Sequence, residues 1–174
     1  MSALETRRRE DFSKVKALCG QSGGRIQLVS ADGEAPSTIK LRLNYRTAGG
    51  TNYPQAEITT VELKIQIPVG YPFKSPPIAT LSPVVYHPNV YASGQVCLGN
   101  KWVVSEFLDL LVKRVLRIIT YQEDVLNEAS PANGGAVSWY RERKRQFPQA
   151  FPTDIADTAV AARQPSAMSW TNLK

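Results

Sequence analysis

Three stretches in the first half of the chain alternate apolar with polar residues, and this pattern limits the possible folds more than any other feature. They run through Arg25 to Ser30, through Ile39, Leu41, Leu43 and Tyr45, and through Val61, Leu63, Ile65 and Ile67. Because successive side chains of a strand point to opposite faces, each stretch predicts a strand with one buried face. The turn residues Asp32-Gly33 and Gly49-Gly50 separate the stretches, so we expect an antiparallel meander.

A fourth, short strand is predicted from Ile78 to Leu81, after the proline-rich run Tyr71-Pro72-Phe73-Lys74-Ser75-Pro76-Pro77. Those prolines exclude a helix or a central strand at the run itself. The stretch from Ser82 to Lys101 then has no sustained period. Since it is rich in Val, Tyr and Leu, we interpret it as a functional loop and not as a disordered one.

Helical spacing marks three further segments. The first, Ser2 to Leu18, starts with Ser2 and Glu5 at capping-box spacing, and its apolar stripe follows Leu4, Arg8, Phe12, Val15 and Cys19. Its other side carries charges that predict a solvated face: Arg7, Arg9, Glu10, Lys14 and Lys16. The second segment has Ser105 as its predicted N-cap and repeats apolar residues at Leu108, Leu111, Val112, Val115, Leu116 and Ile119. The third, Ala136 to Phe147, is dense in Arg and Lys. The order predicts an α+β domain with an N-terminal helix, a four-stranded antiparallel meander and two C-terminal helices.

The length of the chain favours one domain. A chain of 174 residues that is 43% hydrophobic has enough material for one substantial core. After Pro148 the composition shifts to Ala, Pro, Thr, Ser and Gln. We therefore predict a core domain over residues 1–148 and a tail over 149–174, ordered only where Ile155 or Trp170 docks.

Composition also limits the chemistry. The balance of 21 Lys+Arg against 15 Asp+Glu suits nucleic acid, an anionic membrane or an acidic protein, and charge alone does not choose among them. No apolar stretch approaches the ~20 residues of a membrane helix. With one histidine, His87, and two cysteines, Cys19 and Cys97, outside any CxxC pair, we predict neither a metal nor another cofactor. We expect a reduced, cytoplasmic protein, with Cys19 as a buried apolar residue.

One series of motifs carries a family resemblance. His87-Pro88-Asn89 lies eight residues before Cys97, counted from the asparagine. The proline-rich run precedes it, and Trp102, an amphipathic helix and Ser130-Pro131-Ala132-Asn133 follow. This ordered series resembles the ubiquitin-conjugating enzyme family over about Leu4 to Phe147. The resemblance implies that fold, and it implies that the chain receives ubiquitin or a ubiquitin-like protein from an activating enzyme and passes it to a lysine of a target protein.

Cys97 has the chemistry that such a carrier needs. A thiolate is both a good nucleophile and a good leaving group, so a cysteine accepts an acyl group by thioester exchange and yields it to an amine. The resemblance implies that Asn89 donates to the oxyanion or supports the loop, and that His87 fixes the loop. It also implies that Ser130 lies near the incoming lysine. The alternatives are a simple turn for Pro88-Asn89 and a helix cap for Ser130.

Partner-binding residues follow from the resemblance as well. The basic first helix, with Arg7 and Arg8, matches the region that meets the activating enzyme, and Phe73 and Trp102 match the region that contacts ligases. However, Trp102 follows Cys97 by only five residues and no Ser-Pro-Ala follows it, so docking to a standard ligase is doubtful. Such divergence suits a ubiquitin-like pathway, including the prokaryotic ones that work in phage defence. We predict no nucleic-acid or membrane partner.

Three other functions stay open at this point. The same fold occurs in non-catalytic variants that bind ubiquitin or act as scaffolds, but those lack the cysteine that this chain keeps. A cysteine hydrolase would need Cys97, His87 and an orienting acid together. Nucleic-acid binding has only the net charge of +6 in its favour.

Overall fold

A computed structural model describes residues 2–99 and 102–156. In chain order these form α1 (Ala3–Gln21), β1 (Ile26–Ala31), β2 (Thr38–Leu43), β3 (Val61–Gln66), β4 (Ile78–Ser82), α2 (Leu108–Ile119) and α3 (Gly134–Gln146). Short 3-10 turns lie at Glu123–Val125 and Pro148–Ala150. The strands form one antiparallel sheet in the order β1-β2-β3-β4. The predicted α+β architecture, a meander between an N-terminal helix and two C-terminal helices, is confirmed.

The buried face of the sheet follows the predicted alternation in β2 and β3. Leu41 pairs with Leu63 and Ile39 with Ile65, and all four side chains are buried. They join one core cluster with the apolar stripes of α1 and α2. The edge strand β1 departs from the pattern, since a register shift between Leu28 and Ser30 leaves Leu28 and Val29 exposed.

Helix α1 starts as predicted but buries an acidic residue that the sequence pattern did not single out. The capping box between Ser2 and Glu5 is present. Asp11 is fully buried, where it accepts hydrogen bonds from the Tyr71 hydroxyl (2.7 Å) and the Leu108 backbone N–H (2.9 Å) and pairs with Arg7 (3.0 Å). The solvated face predicted for Arg7 is therefore wrong. Its guanidinium is turned inward and also donates to the carbonyls of Val104 and Glu106.

The start of α2 also differs from the prediction. Ser105 is not its N-cap, because the helix begins at Leu108 and its N-cap residue is Phe107, whose side chain has no acceptor. Asp11 supplies the acceptor from α1 instead. A residue 97 positions away thus satisfies one of the N–H groups that a helix leaves free at its start.

The segment after α3 packs against the domain. Phe151 enters an aromatic cluster with Tyr53, Tyr121 and Tyr140, with ring centroids 5.0–5.3 Å away. The Thr153 N–H donates to the Thr120 carbonyl (3.0 Å), and Asp154 pairs with Arg25 (2.9 Å). By contrast, the Ile155 side chain, which was expected to dock, is 58% exposed. Trp170 lies outside the described residues, and the division of the chain at residue 148 stays a prediction.

In the described part of the chain, no helix is both long and apolar enough to span a bilayer.

Candidate active site

Residues Asn89 to Cys97 form a small hairpin that lies along β4. Val90 pairs with Val96, and the Cys97 N–H donates to the Asn89 carbonyl (2.7 Å). Two hydrogen bonds fix the hairpin to the sheet and pair Thr80 with Gln95: Val96 N–H donates to the Ala79 carbonyl (2.8 Å), and Leu81 N–H donates to the Gly94 carbonyl (2.9 Å). Gly94 has φ +84°, and a Cβ there would lie 2.4 Å from the Leu81 carbonyl oxygen. Only glycine fits this close approach.

The hairpin places Cys97 at a groove of about 750 Å³. Its walls come from the hairpin and the residues after it, from α2 and Glu106 two residues before it, and from the segment that follows α2. The lining residues are Asn89, Cys97, Leu98, Gly99, Glu106, Leu110, Lys113, Arg114, Arg117, Ile118, Asp124, Val125, Leu126 and Asn127. Both cysteines are partly exposed, but Cys97 lines the groove, whereas Cys19 packs against the core and burial raises the pKa of its thiol. Of the two thiols, Cys97 is therefore the one at the groove.

Asn89 holds one wall of this groove. Its side-chain Nδ2 donates to the Val125 carbonyl (2.8 Å), and its Oδ1 accepts from the Asn127 N–H (2.9 Å). The side chain is 5% exposed, so these bonds are shielded from water. Both amide atoms therefore tie the hairpin to the segment after α2. These contacts support the loop-stabilising role of Asn89, whereas its role as an oxyanion donor stays a prediction.

His87 is fully buried and is not among the described residues that line the groove. Its Nδ1 accepts from the Asn89 N–H (2.9 Å), and its ring centre lies 4.5 Å from that of Tyr121. Burial lowers the pKa of His87 to about 3, so the ring is neutral at pH 7. A neutral imidazole bonded to the backbone can fix the loop, but it is poorly suited to be the base of a cysteine hydrolase.

The buried imidazole gives a test through pH. Because the pKa of His87 is near 3 in the folded state and ordinarily near 6.5, the unfolded chain binds the proton first as the pH falls. The wild-type free energy of unfolding should therefore decrease from pH 6.5 towards pH 3 more steeply than that of His87→Asn. Urea unfolding at several pH values measures both slopes. Parallel curves for the two proteins would contradict the buried neutral state.

Ser130 is placed beside Asn127, outside the set of described residues that line the groove. It is exposed, its N–H donates to the Asn127 Oδ1 (3.2 Å), and its carbonyl accepts from the Asn127 Nδ2 (2.6 Å). The alternative of a helix cap is wrong for Ser130, since Asn133 caps α3 by accepting from the Ala136 N–H (3.1 Å). A role near the incoming lysine stays a prediction.

Of the residues predicted to bind partners, one is exposed and the others make contacts within the domain. Phe73 is 79% exposed. Trp102 donates from Nε1 to the Pro72 carbonyl (3.3 Å) and packs on Tyr71, and Arg8 donates to the Ile67 carbonyl (3.1 Å). Arg7 also donates to the Tyr71 hydroxyl (3.2 Å), which joins α1 to the proline-rich run. Binding of an activating enzyme or a ligase by these residues stays a prediction.

Sequence reasoning missed several residues at the site. Lys113, Arg114 and Arg117 line the groove from the polar side of α2, where the helical period would have placed them together. Tyr121 lies two residues after α2, has φ +58° and is fully buried, and its hydroxyl donates to the carbonyl of Tyr86, the residue before His87. No local pattern marks a tyrosine for that conformation, which is rare outside glycine.

Comparison with known proteins agrees with this fold. The model of the family described as ubiquitin-conjugating enzyme matches residues 35–153. The chain belongs to the ubiquitin-conjugating enzyme family.

Particular relatives are similar over about half of the chain. It is 36% identical over 91 residues to Ubiquitin-conjugating enzyme E2 1 of Caenorhabditis elegans, covering 51% of this chain and 45% of that protein. It is 37% identical over 94 residues to Ubiquitin-conjugating enzyme E2 2 of Mycosarcoma maydis, covering 51% and 46%. The Debaryomyces hansenii protein of the same name is 36% identical over 94 residues, covering 51% of each. The chain spans about half the length of these curated relatives.

Proposed function

We propose that this protein receives ubiquitin or a ubiquitin-like protein from an activating enzyme as a thioester on Cys97 and transfers it to a lysine amine. The observation that carries the proposal is the placement of Cys97, partly exposed on a hairpin fixed to the sheet and beside an open groove. An open groove suits a carrier whose acyl group is a protein and whose acceptor is another protein.

The groove wall that α2 forms carries paired charges. Arg114 pairs with Glu106, and Arg117 pairs with Asp124. Lys113 lies 3.7 Å from Asp109. Since the cations have acidic partners, the walls present both donors and acceptors without a large excess of one charge. Such walls suit the backbone of an extended C-terminal tail that leads a modifier to Cys97.

The binding places of the activating enzyme and of a ligase are also proposals. We place the activating enzyme at the basic start of α1, and we keep Phe73, which is 79% exposed, together with Trp102 as the region that would contact a ligase. Docking of a standard ligase is doubtful because of the short interval from Cys97 to Trp102. A cytoplasmic location and a role in a ubiquitin-like pathway, including one in phage defence, fit this reading.

The direct test is adduct formation. Purified protein mixed with ATP, an activating enzyme and its modifier should form a covalent adduct that dithiothreitol removes. An adduct that resists dithiothreitol, or no adduct with either ubiquitin or a ubiquitin-like protein and its activating enzyme, would contradict the proposal.

Asn89→Ala should slow loading of Cys97 and discharge onto free lysine by similar factors, about tenfold each. The reason is that the Asn89 amide holds the wall at Val125 and Asn127, and both steps use this groove. Single-turnover loading and discharge assays, run separately, measure the two factors.

Asn52→Ala is the control, because Asn52 is exposed on a turn away from the groove and should leave both steps unchanged. A loss confined to discharge would instead support Asn89 as the oxyanion donor.

A further inference from the structure

A hollow of about 530 Å³ lies between α3 and the segment that follows α2, and we call it the α3 hollow. It adjoins the groove of Cys97, because Leu126 lines both. Of the next two residues, Asn127 lines the groove and Glu128 lines the α3 hollow. A target protein that brings a lysine to Cys97 over this segment therefore has part of its own chain next to the α3 hollow.

Basic side chains dominate one wall of the α3 hollow. Three cations of the Arg- and Lys-rich helix α3 line it: Arg141, Lys144 and Arg145. Two carboxylates line it from the segment after α2, Glu123 and Glu128. They pair with Lys144 and Arg141 respectively. The charged groups that line the hollow thus leave a net positive charge.

The ion pairs also leave hydrogen-bond donors unused. A guanidinium or an ammonium has more N–H groups than one carboxylate engages. The third cation, Arg145, pairs with Glu142 of its own helix (2.7 Å), and its side chain is 77% exposed. Because exposed ion pairs contribute little free energy, an incoming anion can replace one of these carboxylates at small cost.

A buried hydroxyl at the α3 hollow points independently to an acceptor. Tyr140 lines the hollow and is 3% exposed, and no group in the described part of the chain hydrogen-bonds its hydroxyl. Burial, followed by the charge of Glu128, raises the pKa of Tyr140, so the hydroxyl keeps its proton at neutral pH. A shielded donor without an acceptor is unfavourable and rare in folded proteins.

The cation nearest to this tyrosine along the helix is able to move. Lys144 lies one turn after Tyr140, with its Nζ 5.8 Å from the centre of the ring. Its partner Glu123 is exposed, so the lysine can turn towards an anion without a change in the core. Such a turn would uncover the edge of the ring and let the ammonium and the hydroxyl bind the same anion.

We propose that the α3 hollow binds an acidic side chain of the target protein, an aspartate or a glutamate near the lysine that accepts the modifier. Lys144 and Arg145 attract the carboxylate, and the Tyr140 hydroxyl donates to it. The net charge of +6 favours the same class of partner. The part of the acidic side chain in transfer rests on the proposed function.

Binding is tested first without any modifier. A fluorescently labelled, lysine-free peptide of alternating aspartate and serine is titrated with the protein at low salt, and fluorescence anisotropy gives the affinity. Arg145→Gln should weaken binding about threefold. The matched control is Arg143→Gln, which removes the same charge from the same helix. Arg143 donates to the Thr51 carbonyl (2.9 Å) and is not among the described residues that line the α3 hollow, so this variant should bind nearly like the wild type.

Tyr140→Phe tests the hydroxyl. The variant should bind the acidic peptide about threefold more weakly, because it lacks one donor to a charged acceptor. Its midpoint of urea unfolding should not fall, since the hydroxyl has no bond to lose in the free protein. Tyr53→Phe is the control from the same aromatic cluster. The Tyr53 hydroxyl donates to the Ala150 carbonyl (2.7 Å), so this variant should unfold at a lower urea concentration.

The effect on transfer is measured with two peptides of equal length, each with one lysine. One has aspartate and glutamate on both sides of the lysine, and the other has asparagine and glutamine there. The thioester formed with the modifier that loads the wild type should discharge about fivefold faster onto the acidic peptide. Arg145→Gln should reduce this preference to about twofold, and Arg143→Gln should keep it.

Three results would overturn the inference. Equal weakening of binding in Arg145→Gln and Arg143→Gln, or no binding by the wild type, removes the site. A lower urea midpoint for Tyr140→Phe removes the hydroxyl from it, and equal discharge onto the two peptides removes the role in transfer. If wild-type protein forms no thioester, the proposed function fails, while the anisotropy titration still decides whether the α3 hollow binds an acidic peptide.

Discussion

The Cys97→Ala variant should form no dithiothreitol-sensitive adduct when mixed with ATP, an activating enzyme and the modifier that loads the wild type. Alanine has no nucleophile, and the other thiol cannot replace it. Cys19 lies near the end of α1, half-buried against the core, and burial raises its pKa, so little thiolate forms there at neutral pH. Gel electrophoresis with and without dithiothreitol measures the adduct, and we expect complete loss.

The matched control is Cys19→Ala, which removes one of the two cysteines and should load like the wild type. Circular dichroism of both variants checks that each is folded. An adduct that persists in Cys97→Ala would assign the thioester to another residue and would contradict the proposed function.

Asp11→Ala should lower the free energy of unfolding by about 3 kcal/mol. The buried carboxylate is the shared acceptor of the Tyr71 hydroxyl and the Leu108 N–H, and it balances the charge of Arg7. Removing it leaves these donors without that acceptor in a site from which water is largely excluded. Urea unfolding at pH 7 measures the change.

Asp109→Ala is the control for this prediction. Asp109 is an aspartate in the first turn of α2. Its Oδ2 lies 3.7 Å from the Nζ of Lys113, whose side chain is 47% exposed. Exposed ion pairs contribute little, so this variant should lose less than about 1 kcal/mol. Equal losses in the two variants would show that Asp11 does not connect α1, Tyr71 and α2 as the structure indicates.

Much of the fold follows from local patterns. Alternation in β2 and β3 and the helical period of α2 are the direct result of burying one face, and both appear in the structure at nearly the predicted residues. The capping box of Ser2 and Glu5 joins residues three apart, so the sequence shows it without any tertiary information. The order of His87-Pro88-Asn89, Cys97 and Ser130-Pro131 indicated the family in the same way.

Other features depend on residues that meet only after folding. The N-cap of α2 was assigned to Ser105 by proximity, whereas the bond comes from Asp11 in α1. Arg7 was assigned to solvent by its place on a helical wheel, but the carbonyls of Val104 and Glu106 draw its guanidinium inward. A charged residue satisfied by distant backbone groups has no signature in a local period.

By itself, the sequence identified one candidate nucleophile, Cys97. It lies in a loop that carries the family's motif, between an antiparallel meander and an amphipathic helix. Spacing along the chain is enough for that, because each element is defined by neighbours a few residues apart. Only the tertiary structure decided which groups surround the sulfur. The fold bonds the Asn89 amide to Val125 and Asn127, buries His87, and attaches the hairpin that ends at Cys97 to β4. These contacts depend on strand register and on hydrogen bonds between residues far apart in the sequence. The spacing of residues along the chain therefore cannot predict them.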